Sequence, residues 1–215
     1  MLAILISNLP YLLRGALITL WLSAAVVTLG TLLGAVLGLT AAVGGRIMSA
    51  LVTGYIFVLR GIPVLVVMLI GYYACPALGI PANPYLAVGM AQIVYVGAFV
   101  AEIVRSAVLS VPAGQIAAAR SLGLRRLAIV RHVLLPLAAR LAIPPLLNTA
   151  LTAVKQTSYV SVVGAWELTY AAREVVERTL AAFQIFLGVM AIYFLICYPL
   201  SLLARWCEKR LLVMH

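Results

Sequence analysis

The sequence predicts an all-α membrane protein with five spanning helices, and three observations carry that prediction. Hydrophobic residues make up 66% of the 215-residue chain and charged residues only 9%, with a mean hydropathy of +1.18, whereas a soluble domain is roughly 45–50% apolar. The apolar residues gather in five runs, each close to the ~20 residues that a helix needs to cross a bilayer. Apart from Arg60 and Lys155, the cations of a chain with net charge +10 fall outside those runs.

The runs cover about 15–43, 50–74, 85–101, 141–164 and 183–203. They make residues 1–215 one transmembrane domain with its core at 15–203, and leave no room for a soluble enzymatic domain, so no catalytic residues are expected. In the first run Gly30, Gly34 and Gly38 recur at every fourth position with Ala42 continuing the stripe, a small face that permits close helix approach. The opening stretch "MLAILISNLPYLLRG" has no basic n-region, and the apolar sequence after Arg14 is too long for a signal-peptide core, so the first helix is expected to remain in the mature protein.

Orientation follows from the connections. The first carries Arg46, and the second, "CPALGIPANPY", is uncharged. The third holds Arg120, Arg125, Arg126, Arg131 and His132. The fourth mixes Glu167, Arg173, Glu174, Glu177 and Arg178, and the tail sets Arg205, Lys209 and Arg210 against Glu208. Positive residues favour the cytoplasmic side, which places the first and third connections and the C-terminus inside and the N-terminus outside.

The basic balance does not indicate nucleic acid, because no soluble module or aromatic interleaving accompanies it. Cys75, Cys197 and Cys207 are scattered without CxxC spacing or a His or carboxylate cluster, so no metal site is expected. The chain has no GxxxxGK[ST] phosphate loop, so no ATP is expected on this subunit.

The third connection, about 112–136, is more ordered than a topological signal requires. Pro112 opens a helix, 114–122 is Ala-rich, Gly123 fits a C-terminal cap, and a second helix is predicted over 124–136. Ala117, Ala118, Ala119 and Ser121 form a small face, and Leu122, Leu124 and Leu127 supply apolar anchors. This pattern serves either docking of another protein or helix packing, while the arginines meet lipid head groups.

On these residues the segment "VPAGQIAAARSLGLRRLAIVRHVLLP" resembles the cytoplasmic EAA loop of bacterial ATP-binding-cassette importer permeases. That pattern reads E-A-A, three residues, Gly, about nine residues, then an apolar residue, Leu and Pro. Ala117, Ala118, Gly123, Leu135 and Pro136 are read in register, with Ile116 in place of the family's Glu. "RGIPVLV" from Arg60, "AEIVRSAVLSVPAGQ" around Glu102, "LPLAARLAIPPLLNTALTAVKQTSY" from Leu135 and "WEL" at Trp166 are similar to the polar amino-acid branch, and the matches are ordered along most of the chain.

The resemblance implies a type I importer fold in the bacterial inner membrane. It implies a second permease chain, identical or related, two ATPase subunits that hold ATP and Mg, and an extracytoplasmic solute-binding protein. The loop is then the coupling helix, with Gly114, Ala117, Ala118, Ser121, Leu122, Gly123, Leu124 and Arg125 at the ATPase contact. The rival is a self-sufficient secondary transporter or channel with Glu102 or Glu167 as an ion site, a class often built from repeated halves that this chain lacks.

Charged groups inside a span cost about 2.5–3.5 kcal/mol each and need partners or water. Glu102 and Arg105, at i and i+3, are expected to pair, and Arg60 to join them in a structural charge network or to bind backbone carbonyls. Lys155, Gln156, Thr157, Ser158 and Tyr159 replace the family's frequent Lys-Asp-Thr-Ser-Leu. They line the translocation path or form an interhelical hydrogen-bond network, above a bend expected at Pro144 and Pro145. Glu167 is either a ligand carboxylate for an ammonium or guanidinium group or a solvated loop residue.

Overall fold

The computed structural model describes residues 2–80 and 83–212; Pro81 and Ala82 of the second connection lie outside them. The secondary structure of the described residues is helical throughout. In order the helices are α1 (Leu2–Val43), α2 (Arg46–Arg60), α3 (Val64–Ala77), α4 (Pro84–Leu109), α5 (Ala113–Ser121), α6 (Arg126–Ile129), α7 (Leu135–Gln156), α8 (Leu168–Thr179) and α9 (Ala182–Leu212). A π turn at Val130–Leu134 joins α6 to α7, and a 3₁₀ turn at Thr157–Val163 extends α7.

Four of the predicted runs match helices long and apolar enough to span a membrane, and the fifth is a bent pair. The run at 50–74 is not a straight helix. It breaks at Gly61-Ile62-Pro63, where α2 and α3 meet at 102°, because Pro63 has no N–H to continue the ladder of α2 and disfavours a helical residue before it.

The other boundaries also move. α1 begins at Leu2, not near 15, and passes through Pro10. At 1.5 Å per residue its 42 residues extend about 60 Å, roughly twice the hydrocarbon thickness. α4 continues to Leu109, eight residues past the end of its apolar run.

The fourth span starts at Arg126 and runs to Val163, so the predicted second loop helix is the foot of that span. Its π turn lies just ahead of Pro136, whose missing N–H removes one i→i−4 bond. The expected bend at Pro144 and Pro145 is not accompanied by a helix break; α7 continues through both.

α4 is the central helix. The stripe on α1 lies directly on it: Gly30 meets Val96, Gly34 meets Gly97 and Val100, and Gly38 meets Ala101 and Val104. Both sets of numbers rise together, so the two helices run parallel, as a first and a third crossing must. A side chain at Gly34 would place its Cβ within 2.5 Å of the Gly97 carbonyl oxygen, so the close approach requires glycine. α3 covers the N-terminal half of α4, with Gly71 against Ala91 and Ala87.

A separate core joins the outer part of α1 (Leu12, Ala16) to α8 (Leu168, Ala171, Ala172, Val175) and α9 (Ile185, Val189, Ile192). The neighbouring polar tie is built on Glu174, which accepts from the Tyr11 hydroxyl and, at 3.0 Å, from Trp166 Nε1.

Candidate functional site

Three polar regions are laid out along this frame, and the loop between α4 and the fourth span is the first. α5 ends in a Schellman turn: Leu124 N–H donates to the Ala119 carbonyl at 3.2 Å and Gly123 N–H to the Arg120 carbonyl at 2.9 Å. Gly123 has φ +74° with open space around it, so backbone conformation, not crowding, makes glycine the fitting residue there.

Gly114, Ala117, Ala118, Ser121, Leu122, Gly123, Leu124 and Arg125 are all exposed. Leu122 at 81% and Leu127 at 79% exposure give this small-residue surface two apolar studs.

Register in the loop needs a correction. Three residues counted back from Gly123 put the alanine pair at Ala118 and Ala119 and the family's acidic position at Ala117, one residue later than Ile116. The packing explains why: Ile116 is turned inward against the cluster of Val111, Leu134 and Ala138, whereas Ala117 lies on the open face. The exposed face of α5 therefore carries no carboxylate, and Ile116 keeps its inner apolar contact.

The second region is the charge network. Glu102 accepts from Arg105 Nε at 3.1 Å and Nη2 at 3.2 Å, and from Ser106 Oγ at 3.2 Å, making the expected pair bidentate. Arg60 makes no ion pair among the described residues. Its guanidinium lies over the Phe99 ring, 5.4 Å from the centroid, on the wall of a wide cavity of ≈ 650 Å³ that also contains Glu102 and Arg105.

Phe99 itself lines a smaller cavity of ≈ 220 Å³, together with Tyr95, Asn148, Thr149, Thr152 and Gln156. These groups are neutral donors and acceptors, and no carboxylate lies among them.

The run Lys155 to Tyr159 does not act as one patch, because helical geometry distributes it around the axis. Gln156 faces the smaller cavity. Thr157 is buried, 3.3 Å from Ser23 Oγ, and donates to the Val154 carbonyl at 2.7 Å. Ser158 donates to the Lys155 carbonyl at 2.8 Å. Lys155 and Tyr159 are exposed.

Sequence reasoning missed Asn148, Thr149 and Thr152. Their spacing with Gln156, at i, i+1, i+4 and i+8, is a polar stripe along α7 that a helical plot would have exposed.

Glu167 is not a solvated loop carboxylate. It is fully buried and caps α8, accepting from Tyr170 N–H at 2.9 Å, Thr19 Oγ1 at 3.1 Å and the Tyr193 hydroxyl at 3.2 Å. Burial raises its pKa above the ordinary carboxylate value, and these donors hold it partly down. Its oxygens are engaged within the fold and leave a ligand no free edge in this conformation.

Residues 30–213 match the family of binding-protein-dependent transport system inner membrane components. The chain belongs to that family. The permease is 34% identical over 207 residues to the glutamine transport system permease protein of Escherichia coli K12, covering 95% of this chain and 94% of that one. It is 37% identical over 158 residues to the L-cystine transport system permease protein of Bacillus subtilis, covering 73% and 68%.

A crystal structure of an amino acid ABC transporter with histidines superposes with a TM-score of 0.88 at 31% identity, covering 96% of each chain. The inward-facing methionine transporter MetNI gives 0.79 at 22% identity, over 95% and 98%, and shows the same fold. The permease is thus a multi-pass membrane subunit of an ATP-binding-cassette importer, and the secondary-transporter alternative falls away.

Proposed function

We propose that this permease carries a polar amino acid with an uncharged side chain across the bacterial inner membrane. The observation that supports the substrate class is the cavity lined by Phe99: amide and hydroxyl groups line it and no carboxylate is present to hold a cationic side chain, while Arg60, whose guanidinium lies over the Phe99 ring, is the nearby cation we assign as counter-charge for an α-carboxylate. Gln156 is the member of the 155–159 segment that lines this path. Lys155 and Tyr159 are exposed, as residues of a subunit interface or a second part of the path would be. The relatives named for glutamine and cystine transport agree with this class.

The loop around Gly123 serves as the coupling helix, with Gly114, Ala117, Ala118, Ser121, Leu122, Leu124 and Arg125 set against a cytoplasmic ATPase. Two permease chains, two ATPase subunits binding ATP and Mg, and an extracytoplasmic binding protein complete the machine. The N-terminus faces outside and the C-terminus the cytoplasm, as the arginine distribution requires. Loaded binding protein docks outside, ATP-driven closure of the ATPase pair pulls the coupling loop, and the spanning helices alternate the side on which the cavity opens.

The test is uptake into proteoliposomes containing the permease, its ATPase and its binding protein. Labelled glutamine should accumulate with internal ATP, and Gln156→Leu should lower uptake while leaving stimulation of ATP hydrolysis by loaded binding protein intact. Faster uptake of arginine than of glutamine would reject the substrate class. Accumulation driven by a proton gradient without ATP would reject coupling through the loop.

A further inference from the structure

We propose that the cleft between α1 and the fourth span is a binding site for one anionic phospholipid. An acyl chain lies in its apolar upper part and the phosphate sits between Arg120 and Arg126 at its mouth. The upper part is a groove of ≈ 310 Å³ whose lining includes Val36 and Leu39 on α1 and Leu135, Ala139 and Ile143 on α7. Val36 is 61% exposed, so this groove is open to lipid.

The mouth is a second cavity, of ≈ 420 Å³, at the end of α1, and its wall includes Val43, Ile116, Arg120, Arg126 and Leu134. The two cavities are stacked along one course. On α1 the residues Val36, Leu39 and Val43 recur at i, i+3 and i+7, and on the fourth span Leu134 in the mouth is followed by Leu135, Ala138 and Ala142 in the groove. An apolar slot whose mouth is lined by two arginines complements an anionic phospholipid in shape and charge.

Charge selects the anionic class. The chain carries no Asp or Glu between Glu102 and Glu167, and the ion pair found among the described residues is Glu102 with Arg105. Among the described residues Arg120 and Arg126 therefore have no carboxylate partner. Arg126 uses one N–H on the Val43 carbonyl, a favourable place for a cation at the end of α1, and retains further donors for a phosphate.

Of the residues assigned to the docking surface, Leu124 alone also lines the mouth. Ile116 and Arg120, one turn apart on α5, face the cleft, while Ala117, Ala118, Ser121 and Leu122 form the exposed face. Lipid and ATPase thus take different sides of one short helix, so headgroup binding would hold the coupling loop against the end of α1.

The test uses the full chain taken from nanodiscs of mixed phosphatidylglycerol and phosphatidylethanolamine into mild detergent, with retained lipid read by native mass spectrometry. Wild type should retain phosphatidylglycerol in preference. Arg120→Gln should cut that retention about fivefold, the effect of removing one cation near a lipid surface. Ala139→Trp, which fills the groove, should displace the lipid, and Arg173→Gln, on the distant α8, should leave it unchanged. If the tryptophan variant does not fold, Ile143→Ala tests the groove by weakening retention without adding bulk.

Equal retention of the two lipids by wild type would overturn the site. Competition by glycerol phosphate as strong as by intact lipid would show a free-phosphate site instead. If Arg120→Gln spared the lipid and lost the ATPase, the mouth would belong to the protein interface and the proposal would fail.

Discussion

Glu167 accepts a hydrogen bond from Thr19 at 3.1 Å, across 148 positions of sequence, and so fastens α1 to the start of α8. Tyr193 of α9 donates to the same carboxylate oxygen at 3.2 Å, and Leu168 N–H donates to Thr19 Oγ1 at 3.2 Å. One carboxylate thus joins three helices whose apolar faces form a common core.

Glu167→Ala should cost about 2–4 kcal/mol, combining a lost N-cap of about 1 with stranded donors at about 1–3. The pH dependence has a definite sign. Because burial raises the folded pKa above the ordinary 4.5, the group's contribution to stability is fully present below that value and is lost as pH rises through the higher folded value. Thermal unfolding of Glu167→Gln should lack this slope. A wild-type melting temperature that rises across the same window would contradict the assignment.

The α1–α4 contact makes a prediction that separates two glycines in spanning helices. Gly34→Ala drives a Cβ into the Gly97 carbonyl and the Val100 side chain, and should destabilise by about 1–3 kcal/mol as an overpacked contact. Gly54 in the interior of α2 has open space around it, so Gly54→Ala should be neutral or stabilise by up to about 1 kcal/mol through helix propensity. Thermal unfolding in one detergent would compare the pair, and equal losses would mean that backbone crowding does not distinguish them.

These contrasts show which features are legible in the sequence. The stripe Gly30, Gly34, Gly38 is readable because close approach leaves a repeated small residue, and Glu102–Arg105 because i, i+3 is a local geometry. The break at 61–63 is harder to place within an unbroken apolar run, since hydropathy registers composition and not direction. The role of Glu167 is hidden because its donors come from Thr19 and Tyr193, far away in sequence. The stripe Asn148, Thr149, Thr152, Gln156 is masked by the denser run at 155–159, where adjacency suggests a patch that helical geometry disperses.

Gly123 offers a test of the coupling loop that does not depend on crowding. With φ at +74° and nothing within 4 Å of the point where a Cβ would stand, Gly123→Val should suffer from conformation alone, at about 1–2 kcal/mol. Gly123→Asn should be milder, since Asn tolerates the left-handed region. ATPase capture by the purified permease should follow the order wild type, Asn, Val. Equal capture by all three would mean that the turn does not shape the docking surface.

Gln92 sits fully buried in α4, donates from Nε2 to the Ala153 carbonyl at 3.1 Å, and leaves Oε1 without a partner among the described residues. An unmet acceptor in an apolar core is costly, and Ala153 does not depend on the bond because its carbonyl also receives the Thr157 N–H. Gln92→Leu, which removes donor and orphan acceptor together at similar volume, should therefore keep or raise the melting temperature, by up to about 1 kcal/mol in stability. Gln92→Ala should cost about 2 kcal/mol or more by opening a cavity. A stable Gln92→Leu permease that binds its ATPase but transports poorly would show that the glutamine serves the second arrangement of α4 and α7 in the cycle. A large loss of stability would mean that Oε1 is satisfied by a buried water.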